Sequence, residues 1–144
     1  MPESLTGCVR GSTRSPCSTN MGFTLLEGEK MSIKRHGVTR RYADSVVHQG
    51  TVYLVEVPAS ADGDIGTQTA SLLSSVERLL AEAGSDKHKL LMVTIYLADM
   101  ADYDGMNAVW DAWLPEGAAP SRACVQARLS NPGWRVEMAI TAAV

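Results

Sequence analysis

KLLMVTIYL, residues 89–97, is a continuous apolar run between polar loops, and its reading decides the fold. Its length and its Val, Thr, Ile and Tyr content mark it as a buried strand. Alternation assigns Leu91, Val93, Ile95 and Leu97 to one face and Leu90, Met92, Thr94 and Tyr96 to the other. Thr51–Val57 repeats the pattern, with Val52 and Leu54 opposed to Tyr53, Val55 and Val57. Strands that are apolar on both faces are covered on both.

Upstream of this run, Ile65, Ala70, Leu72, Leu73, Val76, Leu79, Leu80 and Ala83 recur at helical spacing until Gly84 stops them. Before that helix, Ser32–Val38, Ser45–Gln49 and Thr51–Val57 read as a meander with a turn at Gln49-Gly50. Downstream, Asp99 or Asp102 opens a second helix whose apolar face is Tyr103, Met106, Val109, Trp110 and Trp113, ended by Pro115 and Gly117. Ser121–Leu129 and Trp134–Ala142 follow as strands joined by the turn Ser130–Gly133. The expectation is an α+β domain with a single mixed β-sheet and two helices packed on one face. Too few helices remain to cover the other face, so a second copy of the chain is expected there.

The chain has 144 residues, of which 45% are hydrophobic, with 13 Lys+Arg, 16 Asp+Glu and a net charge of −3. That acidic balance and the lack of a basic aromatic surface exclude nucleic acid as the principal partner. No apolar run approaches a membrane span. Residues 1–30 differ from the rest: eight are Ser or Thr, and Cys8, Cys17 and Phe23 lie among them without strand or helical periodicity. They read as a flexible N-terminal extension, from an upstream start or a cloning remnant, and 31–144 as the working domain. With Cys124 alone in that domain there is no internal disulfide, and a cytoplasmic setting is expected. His36, His48 and His88 have no metal-ligand spacing, so no metal is expected.

On the Ser121–Leu129 strand, Ala123, Val125, Ala127 and Leu129 form the apolar face, leaving Arg122, Cys124, Gln126 and Arg128 opposite; on the last strand Glu137 opposes Val136 and Met138. Arg122 and Glu137 are thus expected to point away from the helices. Arginine there suits capture of a carboxylate and glutamate suits holding a water, against the bland reading of both as cross-strand charges. Cys124 is more simply a small hydrophobe than a nucleophile. Asn107, beside the Tyr/Met/Trp stripe, needs a hydrogen-bond partner or a cleft.

Tyr42–Val46, Gly50 with the strand after it, Asn107–Trp110, Pro120–Val125 and Val136–Ile140 together resemble the RidA (YjgF/YER057c/UK114) family over essentially all of 31–144. The run Met106–Trp113 (MNAVWDAW), Cys124–Ala127 and the Asn131-Pro132 turn resemble its YoaB-like branch. The resemblance implies a RidA/chorismate-mutase-like fold and a homotrimer with a central β-barrel and ligand clefts at subunit interfaces. It also implies hydrolysis of enamine/imine intermediates of the 2-aminoacrylate type to a 2-keto acid and ammonia, with no cofactor. It gives Arg122 the substrate carboxylate, Glu137 the attacking water, Cys124 and Tyr42 the cleft lining, and Asn107 a supporting place. Two departures stand out. Val55-Glu56 occupies the place of the usual Ser-Gly or Thr-Gly pair, putting Glu56 where a ligand approaches backbone, and Arg40-Arg41 replaces the usual Gly-Pro. Such a pocket also fits a non-enzymatic trimer that binds a 2-keto acid or related carboxylate.

Overall fold

Gln49 and Gly50 take φ values of 50° and 75°, the left-handed pair that lets a two-residue turn follow strand twist. The turn pairs Ser45–His48 (β2) with Thr51–Glu56 (β3), and the short Lys34–His36 (β1) adds to the outer side of β2. The computed structural model describes residues 32–144, so the extension expected over 1–30 lies outside the described residues. Ile65–Glu82 (α1), Leu90–Leu97 (β4), Tyr103–Trp113 (α2), Ser121–Gln126 (β5) and Val136–Ala143 (β6) complete it. One six-stranded sheet has the order β1-β2-β3-β6-β4-β5, with β4 and β5 parallel and every other neighbour antiparallel.

The turn at Ser130–Gly133 forms, with the Trp134 amide donating to the Asn131 carbonyl, yet it closes no hairpin. Strand β5 returns from α2 parallel to β4 and takes the sheet edge, so β4 lies between β5 and β6. A bulge in β4 also alters the expected alternation. Leu90 pairs with Ala142 and Met92 with Thr141, leaving Leu91 unopposed. The extra residue shifts the phase, so Leu90 is buried with Val93, Ile95 and Leu97 while Leu91 is 49% exposed.

Helix α1 starts at Asp64, whose carboxylate accepts from the Thr67 amide at 2.8 Å, and ends where the Ser85 amide returns to the Leu80 carbonyl around Gly84. Its Leu72, Leu73, Val76, Leu79 and Leu80 meet Val52, Leu54, Val93, Met138 and Ile140 of the sheet. Asp99 caps the 3-10 turn before α2, accepting from the Ala101 amide, whereas Asp102 makes no capping bond and instead pairs with Arg135 at 2.9 Å. From α2, Met106 and Trp110 are buried in the same core and Val109 and Trp113 pack against it, while Tyr103 stays 38% exposed. Gly105 permits the two helices to approach: a Cβ there would lie 2.6 Å from Ile65 Cγ2. Gly105→Ala is therefore expected to cost about 1–3 kcal/mol of stability in urea unfolding; an unchanged midpoint would mean the helices separate at no cost.

Gln68, 1% exposed, joins α1 to two loops. Its amide nitrogen donates to the carbonyls of Ala61 and Gly133 at 2.9 and 3.0 Å, and its carbonyl accepts from the Arg135 amide at 2.8 Å.

The face away from the helices is open, with Tyr53, Val55, Met92 and Val125 between 43% and 55% exposed. Tyr53, Val55 and Met92 border a shallow hollow of about 340 Å³ floored by Thr94, Ala139 and Thr141.

Candidate functional site

Sheet register fixes where each candidate points. Arg122 pairs with Val93 and Cys124 with Ile95, both core residues under the helices, so Arg122 and Cys124 lie on the helix side. This reverses the facing expected from the β5 alternation: Ala123 and Val125 are the outward residues, on an exposed apolar face. Glu137 pairs with Tyr96 and alternates with buried Val136 and Met138, so it lies on the open side as expected. Within one chain Arg122 and Glu137 are therefore on opposite faces of the sheet, with β4 between their strands.

The Arg122 guanidinium is held from α2. Its Nη1 donates to Asn107 Oδ1 at 2.8 Å, and its central carbon lies 5.5 Å from the centre of the Trp110 ring. Asn107 and Trp110 are three residues apart and thus neighbours on the helix surface. A neutral amide anchors the cation without cancelling its charge, and a guanidinium has five N–H donors, so bidentate capture of a carboxylate remains open to it. Cys124, one alternation further along β5, packs against the core; burial pushes its thiol pKa up, opposed by the Arg122 charge. A thiol in that state is a poor nucleophile.

The other candidates lie apart. Glu56 pairs with Met138, which shares a row with Ile95 and Cys124, so it is on the helix side three strand spacings from β5, about 14 Å. Its carboxyl pKa is raised, chiefly by burial and further by Asp44, against the Val57 amide and Arg78. Its unfolded counterpart ionises near about 4.3, so the folded form pays for ionisation as pH rises from there through its raised value. Glu56→Gln removes that cost. The variant's melting temperature is expected to match wild type near pH 4 and exceed it at pH 8; a difference independent of pH would contradict this.

Tyr42 is 65% exposed in the β1–β2 loop, beside the edge opposite β5. Thr39 Oγ1 accepts from the Arg41 and Tyr42 amides at 3.2 and 3.1 Å and donates to the Tyr42 carbonyl, which fixes that loop. The structure thus brings together Arg122, Asn107 and Cys124, and leaves Glu137, Glu56 and Tyr42 elsewhere on the chain. Trp110, read from the sequence as core alone, also touches the arginine; its three-residue spacing from Asn107 was the available signal. Among the described residues no three His, Cys, Asp or Glu side chains cluster as metal ligands, and no helix is long and apolar enough to cross a membrane.

Comparison with known proteins agrees with this architecture. A family model described as endoribonuclease L-PSP matches residues 33–144. The RutC family protein YoaB of Escherichia coli is 44% identical over 114 residues, covering 79% of this chain and all of that protein. The 3-aminoacrylate deaminase RutC of Acinetobacter baylyi is 35% identical over 82 residues, 57% of this chain and 64% of its own length. A crystal structure of a YjgF-family member from Neisseria meningitidis superposes with a TM-score of 0.77 at 48% identity, covering 79% of this chain and 96% of that one.

Proposed function

The chain belongs to the YjgF/RidA family described as endoribonuclease L-PSP, in its YoaB-like branch, and on that premise we propose that it hydrolyses small carboxylate-bearing imines, of the kind derived from 2-aminoacrylate, to 2-keto acids and ammonia. The observation that carries the reading is Arg122, anchored by a neutral amide and an indole face and still able to pair with a carboxylate. The enamine first tautomerises to the imine. Water then adds its oxygen to the imine carbon and a proton to the nitrogen, and the resulting carbinolamine expels ammonia, leaving the keto group. An imine carbon is already electrophilic, so a fixed carboxylate and a positioned water are sufficient help.

In this reading Glu137 positions the water, Tyr42 and Cys124 line the cleft, and Glu56 borders it. Because Arg122 and Glu137 face opposite ways, one ligand meets both only where two copies adjoin. The exposed Tyr53, Val55, Met92 and Val125 supply an apolar face for that contact, and a homotrimer closing these faces into a central barrel fits them. A monomeric mass by light scattering at micromolar concentration would remove this part. The activity itself is tested by coupling the protein to a source of 2-aminoacrylate and timing keto-acid release: the wild type is expected to accelerate it over buffer, and no acceleration overturns the hydrolase reading.

A second reading is favoured by Glu56. Its half-buried carboxyl takes the place of a small residue pair and repels an incoming carboxylate when ionised. In that case the trimer binds 2-keto acids without turnover, in the cytoplasm, and thermal stabilisation by keto acid in the absence of imine hydrolysis would identify it.

A further inference from the structure

Trp110 is 3% exposed and, by sequence pattern, an ordinary core residue of α2. Its surroundings are less ordinary. The Arg122 guanidinium lies over its ring at 5.5 Å, and the Trp113 ring lies 5.5 Å away, inclined to it at 46°. Over Trp113 stands the Lys87 ammonium at 5.4 Å, itself paired with Glu77 at 2.7 Å. Each of the two indoles thus carries a cation, and that of Trp113 is tied to α1 through Glu77. The alignment has a physical consequence. An indole face attracts a guanidinium and also restricts its tilt, because stacking favours one plane over others. Asn107, one helical turn away, fixes rotation within that plane through a single directional hydrogen bond at 2.8 Å.

We propose that Trp110, backed by Trp113, is the positioning residue that sets the plane of the Arg122 guanidinium, and that with Asn107 it pre-orients the arginine fork for a planar carboxylate. This rests on the carboxylate-binding reading of Arg122. Trp110 touches no reacting atom; it acts through Arg122, by reducing the freedom the side chain must lose when ligand binds. The effect belongs to binding, so it belongs to KM more than to kcat.

The test compares wild type with Trp110→Leu, Trp110→Phe and Asn107→Ala, the last leaving the core intact should the leucine variant fold poorly. Arginine side-chain resonances of Arg122 are recorded alongside imine hydrolysis. In the wild type the Arg122 protons are expected upfield, shielded by the indole. Trp110→Leu abolishes that shift and raises KM about tenfold with kcat within twofold, and Trp110→Phe restores most of both. Asn107→Ala raises KM while keeping the upfield shift. The proposal is overturned if the Arg122 resonances stay in place in folded Trp110→Leu, or if Asn107→Ala and Trp110→Phe lower kcat and leave KM unchanged. Wild-type protein that shows the upfield shift but neither binds nor hydrolyses a carboxylate substrate removes the functional reading and, with it, the role proposed for the clamp. A wild type that turns over without the shift removes the clamp alone.

Discussion

Gln68→Leu is expected to lower the unfolding free energy by about 2–4 kcal/mol. Leucine fills similar space but leaves the Arg135 amide and the Ala61 and Gly133 carbonyls without the partner they share. The Gln68 side chain that joins them is buried but the three groups lie in exposed residues, so each orphaned group costs up to about 1–3 kcal/mol, less where water reaches it. The loss extends beyond the three bonds. Arg135 also pairs with the nearly buried Asp102 at the start of α2, so loosening its backbone disturbs the junction between helix and sheet. Urea unfolding measures the loss, and amide exchange at Arg135 locates it. Gln68→Glu keeps the acceptor but sets a buried carboxylate against the Ala61 and Gly133 carbonyls, and at neutral pH is expected to lose at least as much as Gln68→Leu. A loss under about 1 kcal/mol for the leucine variant would show that the loops rehydrate without penalty.

Arg122→Ala is expected to reduce kcat/KM for imine hydrolysis about a hundredfold, the equivalent of about 3 kcal/mol of charge-assisted hydrogen bonding. Arg122→Lys should recover only part of this. A lysine ammonium keeps the charge but is a compact point donor, without the flat fork that donates to Asn107 from one edge and to a carboxylate from another. The fold should survive both changes, because Arg122 is only partly buried at the sheet edge, so equal melting curves would separate lost binding from lost structure. Full activity in folded Arg122→Ala would transfer the carboxylate to another group.

Much of this architecture was legible from residues alone. Gly84 and the leucines before it state α1, and Gln49-Gly50 states its turn, because helix periodicity and turn chemistry are local; the cap at Asp64, which reads only as loop, was not stated. The facing of β5 was not legible. Alternation separates Ala123 and Val125 from Arg122 and Cys124, and the usual rule sends the apolar set to the core. Here the apolar set faces outward, and the arginine goes under the helices because Asn107 and Trp110 receive it there. A rule that assumes one buried face fails on a sheet whose two faces are both apolar. The bulge at Leu91 escaped for a different reason: a one-residue change of phase inside a uniformly apolar run leaves no trace in its pattern. The insertion of β4 between β5 and β6 was hidden because a turn signal at Ser130–Gly133 does not say whether the strands it joins become neighbours.

The sheet order also bears on how the chain is made. Strand β6 is the last of the six in sequence, yet it holds β3 on one side and β4 on the other. While synthesis proceeds, the β1–β3 meander and the β4–β5 pair emerge first as two fragments with no shared neighbour, and α1 has only part of its sheet to cover. Folding to the native sheet therefore waits for the C-terminal strand to leave the ribosome, and the contacts that complete it span most of the domain. Pairings of that sequence separation are the kind that slow folding and leave unpaired strand edges exposed before it completes.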